Sequence, residues 1–269
     1  MLTNVDTAAN QKQSVPHEPL ILAIETATRA GSVAVARGTK ILSSQAGDAT
    51  VSHSANLIEL IDQALKRAGA ELSEINLFAA AVGPGSFTGL RIGLATVKAL
   101  ASCTGRDVIG VSTLEAIAHA AHAAHASMKS GEVVSLLPAG RGEVFAQRFL
   151  VKQGSVSAID TAAHLSPGAL LVKYGEIESL MWTGEGAHQQ IETLTTWAGD
   201  KGFPLTDSAN GSGWKIIQET YNLAESVAVL AFKALEEGKS SSAAELQAVY
   251  VRASDAEINE RWQQEKARA

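Results

Sequence analysis

The chain has 269 residues, of which 46% are hydrophobic and 19% charged, with a formal net charge of −6. This is an ordinary globular composition, long enough for two modest lobes, so it excludes disorder throughout. The acidic balance argues against a protein that wraps nucleic acid by itself, because phosphate binding needs clustered Lys and Arg.

The one cysteine, Cys103, rules out an intramolecular disulfide and a cysteine metal cluster. It fits a reducing compartment, with the cytoplasm as the expected location. No stretch approaches the ~20 apolar residues of a membrane span. Residues 1–18 are polar and lack a basic segment followed by an apolar one, so they read as a loose extension and not as a signal peptide.

Residues 20–26 (L-I-L-A-I-E-T) form a short apolar run of buried-strand type, and residues 32–36 alternate as a second strand. A turn at residues 37–40 leads into a third strand over 41–45. The period then changes: Leu57, Leu60, Ile61, Ala64, Leu65 and Ala68 mark one face of an amphipathic helix over 52–68, stopped by Gly69.

Residues 79–94 (A-A-A-V-G-P-G-S-F-T-G-L-R-I-G-L) read as the end of a buried strand, a glycine turn and a helix capped by Ser86. Such a turn aims backbone N–H groups and the positive end of a helix at whatever sits above it. A phosphate or carboxylate is its natural guest, and Gly83, Gly85 and Ser86 are the binding candidates. It is not a P-loop, since Arg91 lies inside the helix and no Lys precedes Lys98. A tight turn that only packs is the other reading. A strand at 108–111 and a helix from Ser112 or Thr113 through Ala126 complete the order β-β-β-α-β-α-β-α.

A second lobe starts near residue 133, with strands over 133–137 and 143–151 joined by the turn P-A-G-R-G. Residues 154–214 are poorly periodic, with a strand expected at 179–183. Helical period returns from Leu223 to Leu235 and ends at Gly238, and residues 249–252 read as a short strand or extended clamp. These boundaries divide the chain into an extension (1–18), a first lobe (19–111), a reduced second lobe (112–215), a C-terminal helix and strand packing back on both (216–252) and a charged tail (253–269).

The residues that carry chemistry are sparse. His53 has no second His four residues on, so it does not make a helical metal site. His119 and His122 share a face, but His125 is rotated by about 240° from His119, and an exposed helix face is the expected setting of all three. Ser86 has a capping role and no neighbouring His, and Glu25 has no partner in sequence for general-base work. On the glycine-turn helix, Leu90, Leu94 and Val97 are expected to pack inward. Gly89 and Gly93, with Ala95, Thr96 and Ala99, place small residues at spacings of three and four that admit another helix. On the preceding helix Ile58 lies off the core stripe.

The segments L-A-I-E-T-A-T (22–28), H-S-A-N-L (53–57), G-P-G-S-F-T-G-L-R-I-G (83–93), G-V-S-T-L-E-A (110–116), G-E-V-F (142–145) and Y-V-R (250–252) occur in this order. Together they resemble the bacterial TsaB (YeaZ) family. The resemblance implies an α/β, actin/Hsp70-like (ASKHA) two-lobed fold with a βββαβαβα first lobe and a reduced second lobe.

It also implies a non-catalytic or degenerate subunit that supports a TsaD-type catalytic subunit, with a TsaE-type ATPase, in transferring threonylcarbamoyl from its adenylate to the adenosine beside the tRNA anticodon. tRNA would be met only through the complex, a homodimer is possible, and no membrane is involved. No cofactor is implied for the chain alone, with ATP entering at the level of the complex. The implied partner interface is the first-lobe helix pair, with His53, Leu57, Ile58, Gly89, Arg91 and Gly93.

Three departures stand out: Glu25 where the family has Asp, Pro138-Ala139-Gly140-Arg141 where it has an Asp-Ala-Arg-type turn, and Ala248 where it has Pro. Glu25 puts metal–nucleotide binding at that turn in doubt. An ATP-dependent ASKHA-type kinase and a glycoprotease-like metallopeptidase are the alternative classes.

Overall fold

The structure, a computed structural model, describes residues 16–125, 130–206, 213–217 and 222–251. Residues 1–15, Ala126, Arg252 and the expected charged tail lie outside the described residues.

Strand β1 (Leu20–Glu25) carries five apolar residues in succession and is buried on both faces, which places it inside a sheet. It pairs antiparallel with β2 (Ser32–Arg37), and β2 pairs antiparallel with β3 (Lys40–Ala46) across the Gly38–Thr39 turn, where Gly38 takes φ 55°. On its other side β1 pairs parallel with β4 (Leu77–Gly83), and β4 pairs parallel with β5 (Asp107–Ser112). The strands lie in the order β3-β2-β1-β4-β5, and the succession of strands and helices along the chain is the βββαβαβα expected of the first lobe.

Helices α1 (His53–Ala68) and α2 (Phe87–Thr104) lie side by side on one face of this sheet. Leu57, Ile61, Leu94 and Val97 meet Leu22, Ile24 and Phe78 there. Gly69 and Gly105 end the two helices in the left-handed conformation.

Helix α3 (Thr113–Ala124), capped by Ser112, does not have the exposed face expected of it. It runs between two sheets, with Ala116 in the core under β1 and β4 and Ile117, Ala118 and Ala121 in the core of the second sheet. Alanines on nearly every side let both sheets approach, so His122 is buried and His119 is half-buried.

The second sheet is built on the hairpin β6 (Ser130–Gly140) and β7 (Glu143–Lys152). It extends through β8 (Ser155–Ala158) and β9 (Ala163–Leu165) on one side, and through β10 (Leu180–Thr183) and β11 (Trp214–Ile216), both parallel, on the other. The poorly periodic middle also contains α4 (Pro167–Tyr174), the short α5 (Glu185–Gln189) and α6 (Ile191–Lys201). α4 and α6 cover the face opposite α3, around Trp182 and Trp214, whose rings stack edge-on at 4.8 Å. Helix α7 (Leu223–Glu236) returns to the first sheet, where Val227 and Ala231 close the core against Ile21 and Ala23.

Candidate functional site

Because β1 and β4 are parallel neighbours, the turns that follow them emerge on the same side, the usual position of a ligand crevice in such sheets. The two turns are joined: the Ser86 N–H donates to Ala27 O at 2.8 Å, and a Cβ on Gly85 would come within 2.6 Å of Ala27. Ser86 caps α2 as expected, its Oγ accepting from the Gly89 N–H at 3.2 Å.

The turn after β1 is held by Glu25. Its buried carboxylate accepts from Thr28 N–H at 2.6 Å, Thr28 Oγ1 at 2.8 Å and Ser32 Oγ at 3.4 Å. Burial lifts the Glu25 carboxyl above the usual range despite the Thr28 bonds, and the Glu185 carboxylate adds to the lift. His53 reaches the same turn, where its Nε2–H donates to Thr28 O at 3.0 Å.

These turns form one wall of a cavity of about 560 Å³. The opposite wall is Leu137, Pro138, Ala139 and Phe145 of the β6–β7 hairpin with Glu185 at the start of α5, and the third is the C-terminal segment Val249, Tyr250 and Val251. That segment is the expected clamp. Val249 N–H donates to Val82 O at 2.7 Å, and Tyr250 stacks on Phe87 with ring centroids 5.1 Å apart. The Arg91 guanidinium also lies on Phe87, 3.8 Å from the ring centroid.

Gly85 and Ser86 therefore line the cavity and Gly83 does not, and each of the three also serves the chain itself. Gly83, at φ 115°, leaves room for Val249 O, Gly85 for Ala27, and Ser86 holds Ala27 and Gly89. Among the described residues no three His, Cys, Asp or Glu side chains converge in a way that could hold a metal ion.

The expected interface set divides, and three of its members are corrections. Leu57, Gly89 and Gly93 are buried inside the chain: Leu57 in the first core, and both glycines against Thr26, whose Oγ1 donates to Gly89 O at 2.8 Å. The small-residue spacing on α2 thus serves the chain's own sheet. His53 is pinned inward. Ile58, 66% exposed, and Arg91 remain on the outer surface, beside exposed Ala55, Ala95 and Ala99. Phe87, Thr28 and Glu185 join the site beyond the residues expected there. Thr28 had a local signal, since a hydroxyl three residues after a strand-end carboxylate can close a turn; Phe87 follows Ser86 in the glycine-turn motif, and Glu185 meets the site only through tertiary packing.

If Ser86 is a cap and no more, Ser86→Ala should cost about 0.5–2 kcal/mol of stability in urea melts and leave partner binding unchanged.

A five-stranded mixed sheet carrying a glycine turn, facing a second sheet across a ligand-sized cleft, defines the chain as an α/β protein of the actin/Hsp70-like class. The family model described as TsaD, tRNA N6-adenosine threonylcarbamoyltransferase, matches residues 41–267. The chain belongs to this family and, within it, to the TsaB/YeaZ group.

It is 26% identical over 242 residues to the tRNA threonylcarbamoyladenosine biosynthesis protein TsaB of Escherichia coli, covering 86% of this chain and 94% of that one. To the protein of the same name from Haemophilus influenzae it is 35% identical over 126 residues, 46% of this chain and 51% of the relative. The solved structure of YeaZ from Pseudomonas aeruginosa superposes with a TM-score of 0.70 at 25% identity, covering 86% of this chain and 99% of that one.

Proposed function

We propose that this chain takes part in tRNA threonylcarbamoyladenosine biosynthesis as a supporting subunit. It binds a TsaD-type catalytic subunit through the outer surface of α1 and α2, with a TsaE-type ATPase joining and ATP entering only at the level of the complex. The observation that carries the reading is the match along 94% of a relative named for that biosynthesis.

The site is consistent with support and not chemistry, because Glu25 is taken up by its own turn, Ser86 caps a helix and His53 donates to Thr28 O. Contact with tRNA runs through the partner, in keeping with the net charge of −6. No helix among the described residues is long and apolar enough to cross a membrane, and we place the complex in the cytoplasm.

The docking surface is tested at Ile58. An exposed Ile→Asp change costs the isolated fold within about 0.5 kcal/mol, but on docking it buries an unpaired charge. Calorimetry with the TsaD-type subunit should show at least about thirtyfold weaker binding, the equivalent of about 2 kcal/mol. Reconstituted threonylcarbamoyladenosine formation should fall in step. Unchanged affinity would remove this surface as the interface. A shift from dimer to monomer with partner affinity intact would assign the surface to a second copy of the chain. Sustained ATP turnover by the isolated protein would favour the kinase reading instead.

A further inference from the structure

The segment 241–251 is anchored unequally. At its start Ser241 and Val108 exchange backbone hydrogen bonds at 2.8 and 3.0 Å, and Leu246, 4% exposed, lies in the first core. Between Ala248, which packs on the first core, and Val251 the hold is slight: Val249 N–H to Val82 O, and the ring of Tyr250 on Phe87, with Val249 and Tyr250 about half exposed. Val251 then reaches the core of the second sheet. The weakly held Val249 and Tyr250 are a wall of the cavity, so their displacement would open the cleft. Segments with few buried contacts are where local opening occurs first.

Phe87 links that wall to the outside. It is the first residue of α2, it is covered by Tyr250 from the cavity side, and it carries the guanidinium of Arg91, which is exposed on the outer surface of the helix.

We propose that the outer surface of α2 and the cleft are coupled through the stack of Arg91, Phe87 and Tyr250, with residues 241–251 acting as a strap that releases at Val249 and Tyr250 when a docked partner draws Arg91 away. This rests on the docking surface proposed above. The stacked cation holds the Phe87 ring in one orientation, and that orientation is the seat of Tyr250. Withdrawing Arg91 into an interfacial bond frees the ring and loosens the strap. By linkage, loosening the strap must favour docking to the same degree.

The test is amide exchange at Val249 in the full chain, with the amides of β1 as the control for global folding. Tyr250→Ala should speed exchange at Val249 about tenfold, the scale of an aromatic pair, and Tyr250→Phe should restore it. Arg91→Ala, which touches no residue of the strap, should speed it about two- to fivefold, the scale of an exposed cation–π contact. Adding the TsaD-type subunit to the wild type should do the same.

Wild-type exchange in Tyr250→Ala would show that Tyr250 is no latch. Wild-type exchange in Arg91→Ala, or a partner that binds and leaves Val249 protected, would overturn the coupling. A partner that fails to bind counts against the docking surface alone, and the two variants of the isolated chain still decide the coupling.

Discussion

Gly89→Ala is expected to lose about 3 kcal/mol or more of stability in urea melts, at the upper end of what overpacking costs. On helix propensity alone the substitution should stabilise by about 1 kcal/mol, because glycine inside a helix is unfavourable. The surroundings reverse the sign. A Cβ at Gly89 would fall on the carbonyl oxygen of Thr26, a backbone atom and not the end of a flexible side chain. Thr26 has nowhere to go: it follows a strand buried on both faces, its hydroxyl donates to Gly89 O, and its neighbour Ala27 accepts from Ser86. Gly93→Leu meets the Thr26 side chain in the same way and reports on folding, not on docking. Ala99→Gly on the exposed side of the same helix should cost only about 1 kcal/mol. Equal melts for Gly89→Ala and the wild type would mean that the two turns can part at little cost.

What the sequence disclosed follows from how local each signal is. The stripe on α1, the Ser86 cap, the Gly69 stop and the strands of the first sheet depend on residues within a turn or two of one another, and all were legible. α4 escaped although its signal is local. Ser-Pro-Gly at residues 166–168 reads as a turn, yet Ser166 accepts from Ala169 N–H and Pro167 stands at the first helical position, where its missing N–H costs nothing. Other features were illegible because they belong to the tertiary structure. An alanine-histidine helix looks solvated until a second sheet is known to cover it, and the glycines of α2 look available to a partner until Thr26 is seen beneath them. Of the candidate site, the glycine turn and the terminal clamp were legible as motifs. Their meeting at Phe87 was not, since residues 87 and 250 are brought together only by the fold.

The half-buried His119 of α3 should make the fold acid-labile. His119 Nδ1 lies 2.9 Å from Ser226 Oγ of α7, and burial, then the charge of Lys233, then His122 push its pKa from the ordinary 6.5 down to about 4. The unfolded chain takes up the proton near pH 6.5, while the folded chain resists until about pH 4. The stabilisation is therefore complete above the unfolded value and is lost as pH falls through that window. Between pH 7.5 and 4.5 the loss is about 2–3 kcal/mol, since a tenfold difference in proton affinity between the folded and unfolded chain is worth about 1.4 kcal/mol.

Neighbouring groups act in both directions. His122 is lowered as well and adds to the loss, whereas Glu25 and Glu115 are raised by burial, bind protons more readily when folded and oppose it. Subtracting a variant isolates His119, because the other groups remain in both proteins. His119→Asn keeps a polar atom where Nδ1 meets Ser226 but does not titrate. Urea melts across the range should show the advantage of the wild type over this variant shrinking by about 2–3 kcal/mol toward pH 4.5. Parallel curves would mean that water reaches the α3–α7 seam and protonates His119 without opening it.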